Sequence, residues 1–493
     1  MPDDVGPDAR SRPGLDGLAR RLDAIVIGDG DVIPLDVTHD SRAVSAGTLY
    51  CCVRGERADG HDFALAAIDA GAVALLVDHE LDVATRRGVA QLVVADVRAA
   101  MGPAAAAVHG DPSRELVVIG VTGTNGKTTV VSIIGQLAET LGRPVRVIGT
   151  LTGVRTTPEA TDVQRELRAA VDDGIEIVAM EVSSHALDLH RVDGIAFAAA
   201  AFTNLGRDHL DHHGTPERYF EAKARLFEPG RAAVRIVNGD DVHGRLLNDS
   251  GAADVVISQR DLDDLRVSAQ GSRFSWRGHP VELALVGRFN VSNAVIAAEC
   301  CVAIGLDPAA LAAALGSVTT PPGRFEVIDD DELTVIVDYA HTPDALENLL
   351  ETARDLVTAA GRLIVVFGCG GDRDASKRPA MGDVADRFAD VIVITSDNPR
   401  SEDPSTIMAA VRGGVRTHEP ILELDRRAGI STAIDSARPG DVVVIAGKGH
   451  ETTQIIGDRE LPFDDRVVAA EALGRRLDPP TVDAGGEDAV ADR

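Results

Sequence analysis

A chain of 493 residues with 78 acidic and 49 basic side chains, a formal net charge of −29, is too long for one core and suggests two to four domains. The charge argues against general binding to nucleic acid or a membrane surface, while 44% apolar and 26% charged residues fit a soluble globular protein. No apolar run approaches the roughly 18 residues of a membrane span, the acidic start Met1-Pro2-Asp3-Asp4 does not read as a signal peptide, and the five cysteines lack metal spacing; a cytoplasmic protein with reduced thiols is expected.

Residues 1–14 read as a disordered lead. From 15 to 114 come short strands and helices, including apolar runs at 48–53 and 71–77, and two polar groups, His39-Asp40-Ser41-Arg42 and Gly55-Glu56-Arg57-Ala58-Asp59-Gly60. Their spacing alone suggests turn chemistry, and Asp111-Pro112-Ser113 reads as a linker.

The apolar run 116–121 reads as a buried parallel strand that breaks into the loop Gly123, Thr124, Asn125, Gly126 before Lys127, Thr128 and Thr129 open an amphipathic run to 141. Strand, glycine loop and helix let bare backbone N–H groups surround a phosphate at a helix N-terminus. Lys127 would reach the β- and γ-phosphates and the Thr128 hydroxyl would ligate Mg²⁺. Val121 stands where a strict Walker A motif has glycine.

Two more apolar runs, 175–180 and 197–202, end in Glu181-Val-Ser-Ser-His185 and in the stretch 203–214. In a doubly wound sheet, ligands gather beyond the carboxyl ends of the strands. That rule puts Glu181, a candidate Mg²⁺ ligand, and His209 on the rim of Lys127 and Thr128. His209, His212 and His213 lack zinc-site spacing. The stretch 219–227 forms an amphipathic helix whose Lys223, taken alone, reads as solvated. Gly287 opens another helix with Asn290 and Asn293 on one face, and 321–326 reads as a hinge.

Four β-rich runs follow, 333–337, 363–367, 391–395 and 442–446, each ending in a polar loop with glycine or proline. This pattern predicts a second Rossmann-like sheet with its functional loops on one rim. Residues 478–493 are expected to be a disordered tail.

In order, these motifs resemble the Mur ligases, ATP-dependent amide-forming enzymes of peptidoglycan precursor synthesis. The resemblance spans about 15–477 and rests on Asp40-Ser41-Arg42, the phosphate loop, Glu181-Val-Ser-Ser-His185, the 203–211 stretch, the 219–227 helix, Asp338-Tyr-Ala-His-Thr-Pro343 and Asp397-Asn398-Pro399-Arg400. It implies an α/β protein of three domains: a smaller N-terminal domain for the UDP end (15–113), a central P-loop ATPase-type domain (114–332) and a C-terminal Rossmann-like domain for the incoming amino acid (333–477). Within the family, the motifs are those of the branch that adds meso-diaminopimelate to UDP-N-acetylmuramoyl-L-Ala-D-Glu through an acyl phosphate.

The same resemblance implies ATP and Mg²⁺ as cofactors, with Thr128, Glu181 and His209 as metal ligands and Lys223, as its carbamate, joining them. Asn290, Arg324 and Asp338 match positions near the nucleotide. Ser41, Glu56, Arg57, Ala58, Thr156, Thr157, Ser183 and Arg191 match the UDP-sugar-peptide contacts, although Leu189 stands where some relatives carry glutamine. Arg373, Asp397, Asn398, Pro399, Arg400, Gly447 and Glu451 match the amino-acid contacts. A guanidinium at Arg400 suits the second amino-carboxylate end that lysine lacks. The rival readings are the lysine-adding ligase, a folylpolyglutamate synthase and a nucleotide-dependent switch. A monomer is expected.

Overall fold

The computed structural model describes residues 12–55, 58–153, 155–268, 270–329 and 333–474 and divides into two compact units, Met1–Pro321 and Pro322–Arg493. The expected tail at 478–493, the start of the expected lead, and Glu56 and Arg57 lie outside the described residues.

The first unit opens with a five-stranded sheet in the spatial order Ile25–Ile27, Ala90–Val93, Ala72–Val77, Thr48–Cys51, Asp36–Thr38. Only the Ile25–Ile27 edge pairs antiparallel. Leu49, Leu76 and Leu92 are buried from this sheet together with Ala104 and Val108 of the helix Val97–Val108. The expected linker is an ordered connection, since Pro112 and Ser113 are buried and Asp111 forms a two-pronged ion pair with Arg21.

A six-stranded, wholly parallel sheet follows, in the order Val255–Ile257, Ala232–Asn238, Phe197–Phe202, Val117–Thr122, Ile177–Glu181, Val145–Ile148. Its central strands are apolar on both faces because helices cover both sides, as with Lys127–Thr140 and Arg288–Ala303 over one face. Val117–Thr122 lies between the two strands that follow it at a distance in the chain, so the loop after it opens at a topological switch point. The unit also holds a three-stranded antiparallel sheet, Asp263–Ser268, Gly271–Trp276 and His279–Leu283, which the sequence reading did not foresee.

The second unit is built on a six-stranded sheet ordered Glu326–Asp329, Thr334–Asp338, Val442–Ala446, Leu363–Phe367, Val391–Thr395, Ile421–Glu423. The four expected strands are all present and parallel where they pair. Ahead of the expected boundary at 332, Glu326, the last residue of the expected hinge, opens the strand Glu326–Asp329, which pairs antiparallel with Thr334–Asp338 in this sheet. Among the described residues, no helix is long and apolar enough to cross a membrane.

Candidate active site

The phosphate loop is shaped by glycine at Gly126, which caps the helix Lys127–Thr140 at φ +86°, a conformation that side chains resist. A Cβ there would also come within 2.5 Å of Asn293 Oδ1. Asn293 in turn donates to Asn290 Oδ1 (3.3 Å), and Asn290 donates to Val286 O (2.9 Å), so the two expected asparagines do face one another under the loop. The other side of the loop is held by the end of the neighbouring strand. Thr124 N donates to Asn204 O (2.9 Å), Asn125 N to Asn204 Oδ1 (3.0 Å), and Thr203 Oγ1 to Asn125 O (2.6 Å).

Lys127 curls back so that its ammonium donates to Gly123 O (2.8 Å) and Thr124 O (2.9 Å). Lys223 reaches the same carbonyl, Gly123 O, at 2.8 Å and lies 4.6 Å from the centre of the Tyr219 ring. It is 1% exposed, which overturns the solvated-lysine reading of its helix. Burial, then the neighbouring Lys127, hold its pKa well below the ordinary lysine value against the opposing pull of Asp208. The neutral, nucleophilic amine is thereby favoured.

Glu181, 1% exposed, accepts from Thr128 Oγ1 (3.1 Å) and from Thr150 N (2.9 Å). His209 caps the short helix Leu210–His213 at φ +53°; its ring centroid is 4.7 Å from that of His185 and 6.1 Å from that of Tyr219. Tyr219, whose hydroxyl meets Thr124 Oγ1 at 3.0 Å, therefore touches the loop, Lys223 and the His209 side together. A carboxylate buried between a hydroxyl and a backbone N–H is an oxygen donor that fits a hard divalent cation. Thr203, Asn204 and Tyr219 lie in stretches that the sequence marks but carry no individual role there, and Thr150 carries no signal in the sequence.

Thr157 joins this centre to the expected peptide site. Its hydroxyl donates to Glu181 O (2.9 Å) and accepts from Ser183 N (3.0 Å), while Thr156 Oγ1 pairs with Thr150 Oγ1 (3.0 Å). Arg191 donates to Thr157 O (3.2 Å) and forms an ion pair with Glu159 at 2.7 Å. This expected substrate contact thus carries a carboxylate of its own. Leu189 ends the helix Ser184–Asp188. Ser41 begins a single helical turn capped by Asp40. The neighbouring His39 meets Thr161 Oγ1 at 3.3 Å and Asp36 pairs with Arg165 at 3.1 Å, fastening this segment to the helix Ala160–Asp172. Ala58 O accepts from Gly55 N at 3.0 Å.

In the second unit, the loop after Val391–Thr395 carries Asp397 and Asn398, both buried, then Pro399 and Arg400. Arg400 is not a loose surface residue after a turn. At φ +51° its N–H donates to Ile455 O (3.1 Å) and its guanidinium to Gly371 O (2.8 Å). Asn398 Nδ2 donates to Glu451 Oε2 (2.8 Å), bringing two expected contacts together. Gly447, at φ +117°, donates its N–H to Asp338 O (3.1 Å). Arg373 is exposed. Asp338 accepts from Phe325 N and Ala340 N, both at 2.7 Å, and burial pushes its pKa up; Arg324 lies over the Tyr339 ring at 4.3 Å. Beneath these loops, fully buried Arg426 forms a two-pronged pair with Asp465 (2.8 and 2.7 Å) and donates to Ser396 O and Ala446 O, the ends of two strands. No sequence motif marks that arginine.

Family models match the chain in three consecutive pieces: "Mur ligase family, catalytic domain" at 36–114, "Mur ligase middle domain" at 121–301 and "Mur ligase, glutamate ligase domain" at 323–449. The chain belongs to the Mur ligase family. This Mur ligase is 45% identical to the UDP-N-acetylmuramoyl-L-alanyl-D-glutamate–2,6-diaminopimelate ligase of Geobacillus kaustophilus, with 91% of the chain and 96% of that protein covered. It is 44% identical to the protein of the same name from Geobacillus thermodenitrificans, at the same coverage. A solved structure bearing that name is similar at a TM-score of 0.66 and 35% identity, covering 93% of this chain and 98% of that one.

Proposed function

We propose that this Mur ligase joins an amine of meso-diaminopimelate to the free carboxylate of UDP-N-acetylmuramoyl-L-alanyl-D-glutamate, with ATP converted to ADP and phosphate, in the cytoplasm and as a monomer. The observation that carries this reading is the end-to-end likeness to relatives of that name. A carboxylate resists amines until one oxygen becomes a leaving group. Its oxygen attacks the γ-phosphorus of ATP, ADP departs, and an acyl phosphate forms. The amine then attacks the acyl carbon, loses a proton and expels phosphate.

The chain's residues suit these steps. Both reactants are anionic, so cations must offset their repulsion. Lys127, together with the backbone of Gly123, Thr124, Asn125, Gly126, Thr128 and Thr129, binds the phosphates. Thr128, Glu181, His209 and Lys223 as its carbamate would hold Mg²⁺, which when bound neutralises charge on the phosphoryl oxygens. The carbamate is what the family resemblance implies, and it is supported by chemistry: CO₂ adds to a neutral amine, the form that burial of Lys223 favours. Ser41, Glu56, Arg57, Ala58, Thr156, Thr157, Ser183 and Arg191 take the UDP-sugar-peptide, Asn290, Arg324 and Asp338 the nucleoside end, and Arg373, Asp397, Asn398, Pro399, Arg400, Gly447 and Glu451 the diaminopimelate. In this division, 15–113 serves the UDP end, the central segment ATP, and the C-terminal segment the amino acid.

Phosphate release with ATP, Mg²⁺ and UDP-N-acetylmuramoyl-L-Ala-D-Glu tests the reading directly. Turnover with meso-diaminopimelate and not with L-lysine is expected. Turnover with lysine alone would overturn the amino-acid assignment, and release independent of any amine would overturn the ligase itself.

A further inference from the structure

Lys448 is fully buried between the two carboxylates of the proposed amine site. Its ammonium donates to Asn398 Oδ1 (3.2 Å), Glu451 Oε2 (3.0 Å) and Thr453 O (2.6 Å), and lies 3.9 Å from Asp397 Oδ1. Its three donors thus meet a side-chain amide, a carboxylate and a main-chain carbonyl. This arrangement fixes the Asn398 amide. With Oδ1 accepting from Lys448 and from Ile455 N (3.0 Å), Nδ2 can only face outward to Glu451 Oε2 at 2.8 Å. Glu451 is accordingly gripped through one oxygen by two donors from different loops. Asp397 Oδ1 is buried and has no hydrogen bond among the described residues, so it is an acceptor awaiting a donor.

We propose that Lys448 is a positioning residue for the distal amino-acid end of the incoming substrate. It orients Asn398 and Glu451, and it offsets one of the two negative charges, so that Glu451 and Asp397 together receive one ammonium group rather than two. Without it, the two carboxylates would lose the ammonium between them, and the Asn398 amide would be held by Ile455 N and Glu451 alone. Lys448 does not itself touch the reacting carbonyl or the phosphate. The inference rests on the diaminopimelate reading above and deepens it.

The test is steady-state phosphate release by Lys448→Met, with folding checked by circular dichroism and thermal melting. KM for meso-diaminopimelate should rise roughly ten- to a hundredfold, the loss expected when hydrogen bonds to a charged group go. KM for ATP and kcat at saturating amine should stay within about threefold. In a Glu451→Gln background, where the group it orients is already changed, Lys448→Met should add less than about threefold. An unchanged KM in folded Lys448→Met, or full additivity with Glu451→Gln, overturns the proposal. So does a parallel loss in kcat and every KM, the mark of a merely structural lysine. If Lys448→Met does not fold, Lys448→Arg decides: a raised KM for the amine alone supports the proposal and a wild-type KM overturns it. Failure of the wild type to use diaminopimelate would instead sink the substrate reading.

Discussion

Replacing Lys223 with alanine should separate activity from stability. The side chain is 1% exposed, and truncation removes three methylenes at about 0.8 kcal/mol each, roughly 2.4 kcal/mol of lost burial. The hydrogen bond to Gly123 O (2.8 Å) is lost as well, worth about 0.5–1.5 kcal/mol for a neutral donor. Against this, removing the buried amine beside Lys127 relieves the cost of desolvating a polar group, about 1–3 kcal/mol. The terms offset, so Lys223→Ala should melt within a few degrees of the wild type. Turnover behaves differently. If the residue works as a carbamate anion at the metal centre, its loss should cost about a thousandfold or more in kcat, roughly 4 kcal/mol of transition-state stabilisation. Phosphate-release kinetics with acetate or formate added should recover part of that activity, because a small carboxylic acid fits the vacated space and restores the anion. A ¹³C carbamate signal from protein equilibrated with labelled bicarbonate should be present in wild type and missing in the variant. Near-normal turnover by Lys223→Ala would remove the carbamate from the mechanism.

Lys127→Ala should abolish measurable phosphate release while leaving melting little changed, since the loop carbonyls to which its ammonium donates can be served by water; retained turnover would refute its place at the phosphates. Arg400→Ala should raise KM for diaminopimelate by about a hundredfold, as expected for a lost charge-assisted contact, and leave KM for ATP alone; a change confined to ATP would refute the assignment. Asp465→Asn leaves buried Arg426 with a neutral partner and should destabilise the second unit by about 3–5 kcal/mol, read in denaturant titration. His450 carries a pH dependence of definite sign. Burial and then Arg324 lower its pKa from 6.5 to about 4, so the folded state prefers the neutral ring. The stability this represents is complete above pH 6.5 and is lost as pH falls through about 4. Discounted for its partial exposure, the effect is on the order of 1–2 kcal/mol, and His450→Gln should show a shallower loss of stability between those limits.

What was legible in the sequence follows from how parallel sheets are made. Strands covered by helices on both faces must be continuous apolar runs, and every such run, 363–367 and 442–446 among them, is a strand in the structure. The antiparallel sheet from Asp263 to Leu283 was not legible, because its edge strand is half-exposed and only Phe274, Trp276, Val281 and Leu283 turn inward. Glu326–Asp329 was hidden behind Pro321, Pro322 and Gly323, which precede the strand and read as a hinge. Lys223 is instructive because its burial could have been read. Tyr219, Ala222 and Lys223 fall at helical spacing and are the buried residues of that helix, so the lysine lies in the apolar stripe itself. No comparable pattern marks Arg426 or Lys448, whose partners Asp465 and Asn398 lie 39 and 50 residues away in the chain.

Sheet order also bears on how so acidic a chain, at −29, can receive two anionic ligands. Many of its arginines are consumed by carboxylates: Arg165 by Asp36, Arg277 by Glu299, Arg378 by Glu402, Arg426 by Asp465. The cations assigned to the phosphates and to the amino-acid carboxylate are anchored differently. Lys127 donates to main-chain carbonyls of the phosphate loop, and Arg400 to Gly371 O. A carbonyl supplies direction without cancelling charge, so these side chains are held in place while their positive potential remains to be neutralised by the ligand. Such carbonyls are found where a strand gives way to a loop, beyond the carboxyl end of a parallel sheet, which is where both units place these residues.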